Sequence, residues 1–228
     1  MNLGLVDYQE AWDLQRSLAA AVSQGAIPDT VLFLEHPPTI TLGRRTETGE
    51  LHVPPEADVA VVETDRGGRS TFHGPGQLVC YPILDLKRHG KDVKRFCRDL
   101  EEAIVRTLAT FGLEGTRFEG LTGVWLDRPP RKIASIGVHL SRWVSTHGYA
   151  LNVDLDPAPF TDWITACGLD DAAFTTIARE LRRPVAVDEV RPAAREAFEE
   201  VFDLRFEELP GGEPGLWPQP LHAQLAAR

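Results

Sequence analysis

Short apolar runs of strand type alternate along this chain with segments whose apolar residues recur every three or four positions. That alternation restricts the fold to an arrangement of helices and sheet. Val31 to Glu35 is a compact apolar strand halted by His36-Pro37-Pro38. Leu3 to Asp7, Thr39 to Gly43, Val59 to Thr64, Leu78 to Leu84, Val124 to Leu126, Ile133 to Leu140 and Tyr149 to Leu155 read as further strands. Residues 8–24 carry helical spacing and stop at Gly25. The longest helix is expected over 91–111, with Val93, Phe96, Cys97, Leu100, Ile104, Leu108 and Phe111 on its buried face and Gly112 as its stop. Thr175 to Arg182 and Asp188 to Phe202 are also helical, and from Pro210 the chain reads as an irregular tail around Trp217. No repeat or linker interrupts this pattern. A single α/β domain of the α+β type over 1–228, with a mixed, largely antiparallel sheet, is expected.

Composition narrows the function. The 228 residues carry 24 basic against 34 acidic side chains, a net −10 that counts against nucleic-acid binding, where a basic footprint is required. No apolar run approaches the ~18 residues of a membrane span. Met1 to Asp7 has neither the basic start nor the apolar stretch of a secretory signal. Three unpaired cysteines, at 80, 97 and 167, point to a reducing, cytoplasmic setting. No HExxH and no zinc-spaced cysteine pair occurs, so no metal is expected.

Four segments carry potential chemistry. Arg66-Gly67-Gly68-Arg69-Ser70-Thr71-Phe72-His73-Gly74-Pro75-Gly76-Gln77 surrounds four glycines with hydrogen-bond donors, which suits close approach to a ligand as well as a pair of tight turns. It matches neither of the common phosphate-binding glycine patterns. In Arg131-Lys132-Ile133-Ala134-Ser135-Ile136-Gly137, a lysine stands in a chain that writes only four of its 24 basic residues as Lys. Arginine keeps its proton in proteins, whereas lysine can serve as an acid or base; a solvent-facing lysine is the alternative. His147-Gly148-Tyr149-Ala150-Leu151-Asn152 reads as the start of a strand after a turn, with small residues that could line a groove. Cys167 lies in a loop. Cys80 sits in an apolar strand and Cys97 on the buried helix face, both in the manner of small hydrophobes, which leaves Cys167 as the one thiol placed to meet a substrate.

Together, RGGRSTFHGPGQLVCYPILDL, KIASIGVHLSRWVSTHGYALNV and the downstream ACG resemble, in order and spacing, the octanoyltransferases of lipoate biosynthesis. His36 to Gly43 fits the same family's N-terminal region, and the resemblance spans roughly residues 1–205. It implies the fold of the biotin and lipoate protein ligases, a mixed sheet flanked by helices. It also implies transfer of an octanoyl or lipoyl group from acyl carrier protein to a lysine of lipoyl domains, those of 2-oxoacid dehydrogenases and of the glycine-cleavage H protein, with no cofactor. Carried over by position, Cys167 is the acyl-thioester nucleophile and Lys132 its acid/base partner. Arg66, Gly67, Gly68, Arg69, Ser70, Thr71, Phe72, His73, Ser135, Ile136, Gly137, Gly148, Tyr149 and Ala150 line the acyl site. Gly137, Gly148 and Ala150 leave room for the acyl chain. The family usually has Pro before the cysteine, where this chain has Ala166.

The alternative is an ATP-dependent lipoate or biotin protein ligase on the same fold; the SGGGAVYHD-like string of the lipoate ligases is not found here. Carrier and lipoyl domains are generally acidic, as is this chain, so docking requires a local reversal of charge. Lys87 to Arg98 supplies one, holding three of the four lysines and three arginines against Asp92.

Overall fold

The computed structural model describes residues 1–165 and 173–207. Both Cys167 and the tail around Trp217 lie outside the described residues. Among the described residues, ten strands and five helices follow in chain order: β1 (Asn2–Leu5), α1 (Tyr8–Ser23), β2 (Thr30–Glu35), β3 (Thr39–Leu42), β4 (Ala60–Glu63), β5 (Thr71–His73), β6 (Gln77–Ile83), α2 (Val93–Ala109), β7 (Gly115–Phe118), β8 (Leu121–Leu126), β9 (Arg131–Ser141), β10 (Val144–Asn152), α3 (Pro159–Asp162), α4 (Ile177–Leu181) and α5 (Val187–Phe202).

Seven strands form the main sheet in the order β1-β2-β6-β10-β9-β8-β7, and β4-β3-β5 form a small second sheet. Within the main sheet only β1 and β2 run parallel. The mixed, largely antiparallel reading therefore holds. Central position explains sequence: all nine residues of β10 are buried, and so are all seven of β6, whose apolar run shows no alternation.

Each sheet face needs a cover. α1 packs Leu14, Leu18 and Val22 against Leu32, Val79 and Tyr81 on one face. On the other, α2 and α5 pack Leu100, Ile104 and Phe198 over Cys80, Ile133 and Tyr149. Helix starts are capped by Asp7, whose carboxylate accepts from the Gln9 and Glu10 N–H groups, and by Asp92, which accepts from the Arg95 N–H at 3.0 Å. A third apolar cluster joins the small sheet to α3 through Ile40, Phe72, Phe160 and Phe174.

The long helix departs from its expected pattern at its first turn. Val93 is 39% exposed, and Cys97 is half-buried rather than in the core. The buried apolar face begins at Phe96, and residues 91–95 are all exposed. β5 lies inside what reads as one glycine-rich turn; β7 and α3 carry no readable period at four residues each. The third chemical segment likewise falls inside a strand: β10 starts at Val144, and the reversal is at Arg142 and Trp143, both at positive φ.

Candidate active site

Lys132 sits near the start of β9 and is 3% exposed, so it is not a solvent-facing lysine. Its Nζ donates to the Thr122 carbonyl at 3.1 Å and lies 5.3 Å from the centre of the Trp125 ring. Its backbone is also held. The Lys132 N–H donates to the Ala173 carbonyl at 2.8 Å, and the Thr175 N–H donates to the Lys132 carbonyl at 3.0 Å. The chain carrying Cys167 leaves the described structure at Thr165 and returns at Ala173, directly beside Lys132.

A cavity of about 320 Å³ extends from Lys132 along β9 and β10. Arg66, Gly67, Gly68, Arg69, Ser70, Thr71 and His73 line it from the glycine-rich block, Ser135, Ile136 and Gly137 from β9, and Gly148, Tyr149 and Ala150 from β10. Register brings the two strands together, with Gly137 opposite Gly148 and Ser135 opposite Ala150. From Lys132 to Gly137 the strand spans roughly 17 Å at the rise of an extended chain, enough for a medium-length acyl chain.

Phe72 is not part of this lining. Alternation along β5 turns it away from Thr71 and His73, into edge-to-face contact with Phe160 and Trp163 at 5.7 and 5.8 Å. The two opposed glycines serve backbone contact as much as space. A Cβ on Gly148 would lie 2.1 Å from the Cys80 carbonyl oxygen, and one on Gly137 would lie 2.7 Å from that of Gly67. The Gly67 N–H donates to the Val138 carbonyl at 3.0 Å, so the glycine-rich block is docked onto β9 by its main chain.

Several lining residues are not assigned to the site from the sequence. Tyr8, Tyr81, His147 and Trp125 come from four different elements; His147 and Tyr81 fall in the stretches that carry the resemblance, with no role attached to them, and Tyr8 and Trp125 lie outside those stretches. Cys97 also lines the cavity, contrary to its expected core position. Burial, reinforced by the Glu101 carboxylate, pushes its thiol pKa up and leaves it a poor nucleophile at neutral pH. Cys80 is fully buried, and its thiol is raised further.

A polar network runs from Thr175, next to Lys132, to the histidines beside the cavity, and its hydrogen bonds are internally satisfied. The Thr175 carbonyl accepts from Asn152 Nδ2 at 3.1 Å, and Asn152 Oδ1 accepts from Gln77 Nε2 at 2.9 Å. Gln77 Oε1 therefore faces His73 Nδ1 at 2.8 Å, which makes Nδ1 the protonated nitrogen. Arg66 donates to Thr41 Oγ1 at 2.7 and 3.0 Å, leaving the Thr41 hydroxyl proton for His73 Nε2. His36 donates from Nδ1 to the Val6 carbonyl at 2.7 Å and accepts from Tyr81 at Nε2, 2.8 Å. Burial lowers the His36 pKa to about 4 and holds His73 well below its usual value. His147 bonds Asp65 at 2.8 Å through Nε2; burial lowers it too, against the pull of that carboxylate. Three histidines thus stay neutral at pH 7. Burial also raises Tyr8 to about 12.

Among the described residues no group of three metal-ligating side chains converges, and no helix is long and apolar enough to cross a membrane.

A family profile decides the affiliation: that of the lipoyl protein ligase A/B catalytic domain matches residues 7–199. The chain belongs to this family. Relatives of the lipoyl protein ligase A/B catalytic domain include an octanoyltransferase of Chloroflexus aurantiacus, 50% identical over 207 residues that cover 89% of this chain and 92% of that one. An octanoyltransferase of Mycobacterium tuberculosis is 53% identical over 192 residues, covering 83% and 80%. The fold also matches a bi-partite lipoate protein ligase from Thermoplasma acidophilum, with a TM-score of 0.70 at 18% identity over 100% of this chain and 92% of that one.

Proposed function

We propose that the protein transfers an octanoyl group from acyl carrier protein to a lysine of lipoyl domains, such as those of 2-oxoacid dehydrogenases and the glycine-cleavage H protein, through a thioester on Cys167. The observation that carries the proposal is Lys132, buried at one end of a cavity long enough for an acyl chain and joined by its backbone to the residues following Cys167. The names of the octanoyltransferase relatives support the same reading.

The chemistry runs in two halves. The Cys167 thiolate, held beside the Lys132 ammonium, attacks the thioester carbonyl; the carrier thiolate leaves and takes the ammonium proton. Neutral Lys132 then removes a proton from the incoming lysine amine as that amine attacks the Cys167 thioester. The amide forms, and the Cys167 thiolate and Lys132 ammonium are restored. An acyl thioester is already activated, so neither half requires ATP. The neutral histidines beside the cavity would leave the acyl tail without a charged imidazole to desolvate.

Lys87, Lys91 and Lys94 are exposed and make no ion pair among the described residues, at the start of the helix whose Cys97 lines the cavity. They offer the local positive face that an acidic carrier needs.

Intact mass after mixing with octanoyl-carrier, without ATP, tests the proposal. A thioester-sized gain that disappears in Cys167→Ala is expected. An adduct that forms only with ATP would transfer the assignment to a ligase.

A further inference from the structure

Residues 47–52 form a loop with no recognisable motif, yet they meet both the glycine-rich block and the chain leading into the Cys167 segment. Glu50 is at the centre, 5% exposed. Its Oε1 accepts from Arg69 at 2.5 Å and its Oε2 from the Ser70 hydroxyl at 2.8 Å. Its carbonyl accepts the Thr165 N–H at 2.9 Å. Ser70 Oγ also lies 3.3 Å from the Thr165 carbonyl. On either side, Leu51 bridges Ile164, and the His52 N–H donates to the Trp163 carbonyl at 2.7 Å. Burial raises the cost of ionising Glu50, and the hydrogen bonds from Arg69 and Ser70 outweigh it, so its pKa falls below the usual carboxylate value.

A buried carboxylate satisfied by one arginine, one hydroxyl and its own loop is an expensive way to build a surface turn, where a polar uncharged residue would suffice. What this one achieves is specific: together with the Glu50 main-chain carbonyl, it ties residues 69 and 70, which line the cavity, to Thr165, two positions before Cys167. The far end of the same segment is fixed independently, at Lys132 and Asn152.

We propose that Glu50 is a positioning residue: its carboxylate holds the 47–52 loop to Arg69 and Ser70 of the cavity wall, its main-chain carbonyl holds Thr165, and the two together set how the chain leading to Cys167 meets the acyl donor. The proposal rests on Cys167 being the nucleophile. Glu50 touches no substrate; its effect belongs on the rate of acylation rather than on acyl-chain binding, because the cavity itself is built by β9, β10 and the glycine-rich block.

The test uses the full chain and the octanoyl thioester of N-acetylcysteamine, a donor too small to need docking. Glu50→Gln is expected to keep its melting temperature within a few degrees, to lower kcat for acylation about tenfold or more, and to leave KM within about twofold. Glu50→Asp, which keeps the charge, is expected to recover part of the loss. Should Glu50→Gln fail to fold, Glu50→Asp, which keeps the charge but shortens the reach to Arg69 and Ser70, is expected to show the same loss of kcat at unchanged KM, at smaller size. An unchanged kcat, or a loss that merely follows the unfolded fraction, overturns the assignment. Failure of the underlying reading looks different: wild-type protein would then form no Cys167-dependent adduct at all.

Discussion

The main chain of Lys132 hydrogen-bonds on both sides to the chain returning from the Cys167 segment, giving its N–H to Ala173 and receiving that of Thr175. Residues 132 and 173, distant in sequence, are thereby joined without any motif linking them. The remaining polar anchor on this stretch, Asn152 to the Thr175 carbonyl, comes from β10. Burial of Lys132 and anchoring of the chain from Ala173 onward are consequently properties of the same strand.

Lys132→Arg is the sharpest substitution at this site. The guanidinium retains the positive charge but cannot give up a proton, so transfer is expected to fall by about 10²- to 10⁴-fold. Steady-state rates with a small octanoyl thioester, alongside circular dichroism to confirm folding, provide the measurement. A variant that keeps wild-type kcat would remove Lys132 from proton transfer.

Gly148→Ala tests the close approach of β10 to β6. The new methyl would sit 2.1 Å from the Cys80 carbonyl oxygen, so one strand must shift. A loss of about 1–3 kcal/mol is expected, the usual range for overpacking, read as a lower urea midpoint with unchanged slope.

His36 makes stability depend on acid. Its folded pKa of about 4 lies below the unfolded value near 6.5. Above pH 6.5 both states are neutral there and the group costs nothing. As pH falls from 6.5 to 4 the unfolded chain takes up a proton that the folded one refuses, so stability declines by about 3 kcal/mol and then levels off. His73 and His147 are lowered as well and steepen the same slope. Urea titrations between pH 4 and 7 should show a shallower decline in His36→Asn than in wild type; parallel curves would contradict the assignment.

Charge reversal probes docking. Lys91, Lys94 and Arg95 all changed to Glu are expected to raise KM for the carrier-borne donor about tenfold at low salt, while a small octanoyl thioester reacts as before. Equal losses on both donors would place these residues in the fold rather than at a docking face.

Much of the framework was readable because its signals are local. β2 and β6 are short, uninterrupted apolar runs; α1 and α5 keep a helical period, and turn residues punctuate both. The glycine-rich block and Lys132 stood out for the same reason, as unusual residues in consecutive positions. Where the reading failed, the deciding contact was distant. Phe72 belongs by sequence to the block that lines the cavity, but the pleat of β5 directs it to Phe160 and Trp163. Cys97 has helical spacing with Leu100 and Ile104, yet it is only half-buried and lines the cavity instead of the core, a contact set by residues distant in sequence.

By itself the sequence determined the order of most helices and strands (β5, β7 and α3 excepted), the mixed and largely antiparallel sheet class, the scarcity of lysine that marks Lys132, and the glycine-rich block, since each is written in neighbouring residues and in periods of two or 3.6. Tertiary structure alone decided that Lys132 is buried, that Tyr8, Tyr81 and His147 line the cavity, and that the Glu50 carbonyl reaches Thr165. Burial and hydrogen bonding depend on which strands become neighbours, and the pairing of β9 with β10 and of loop 47–52 with 163–165 joins residues that share no local pattern.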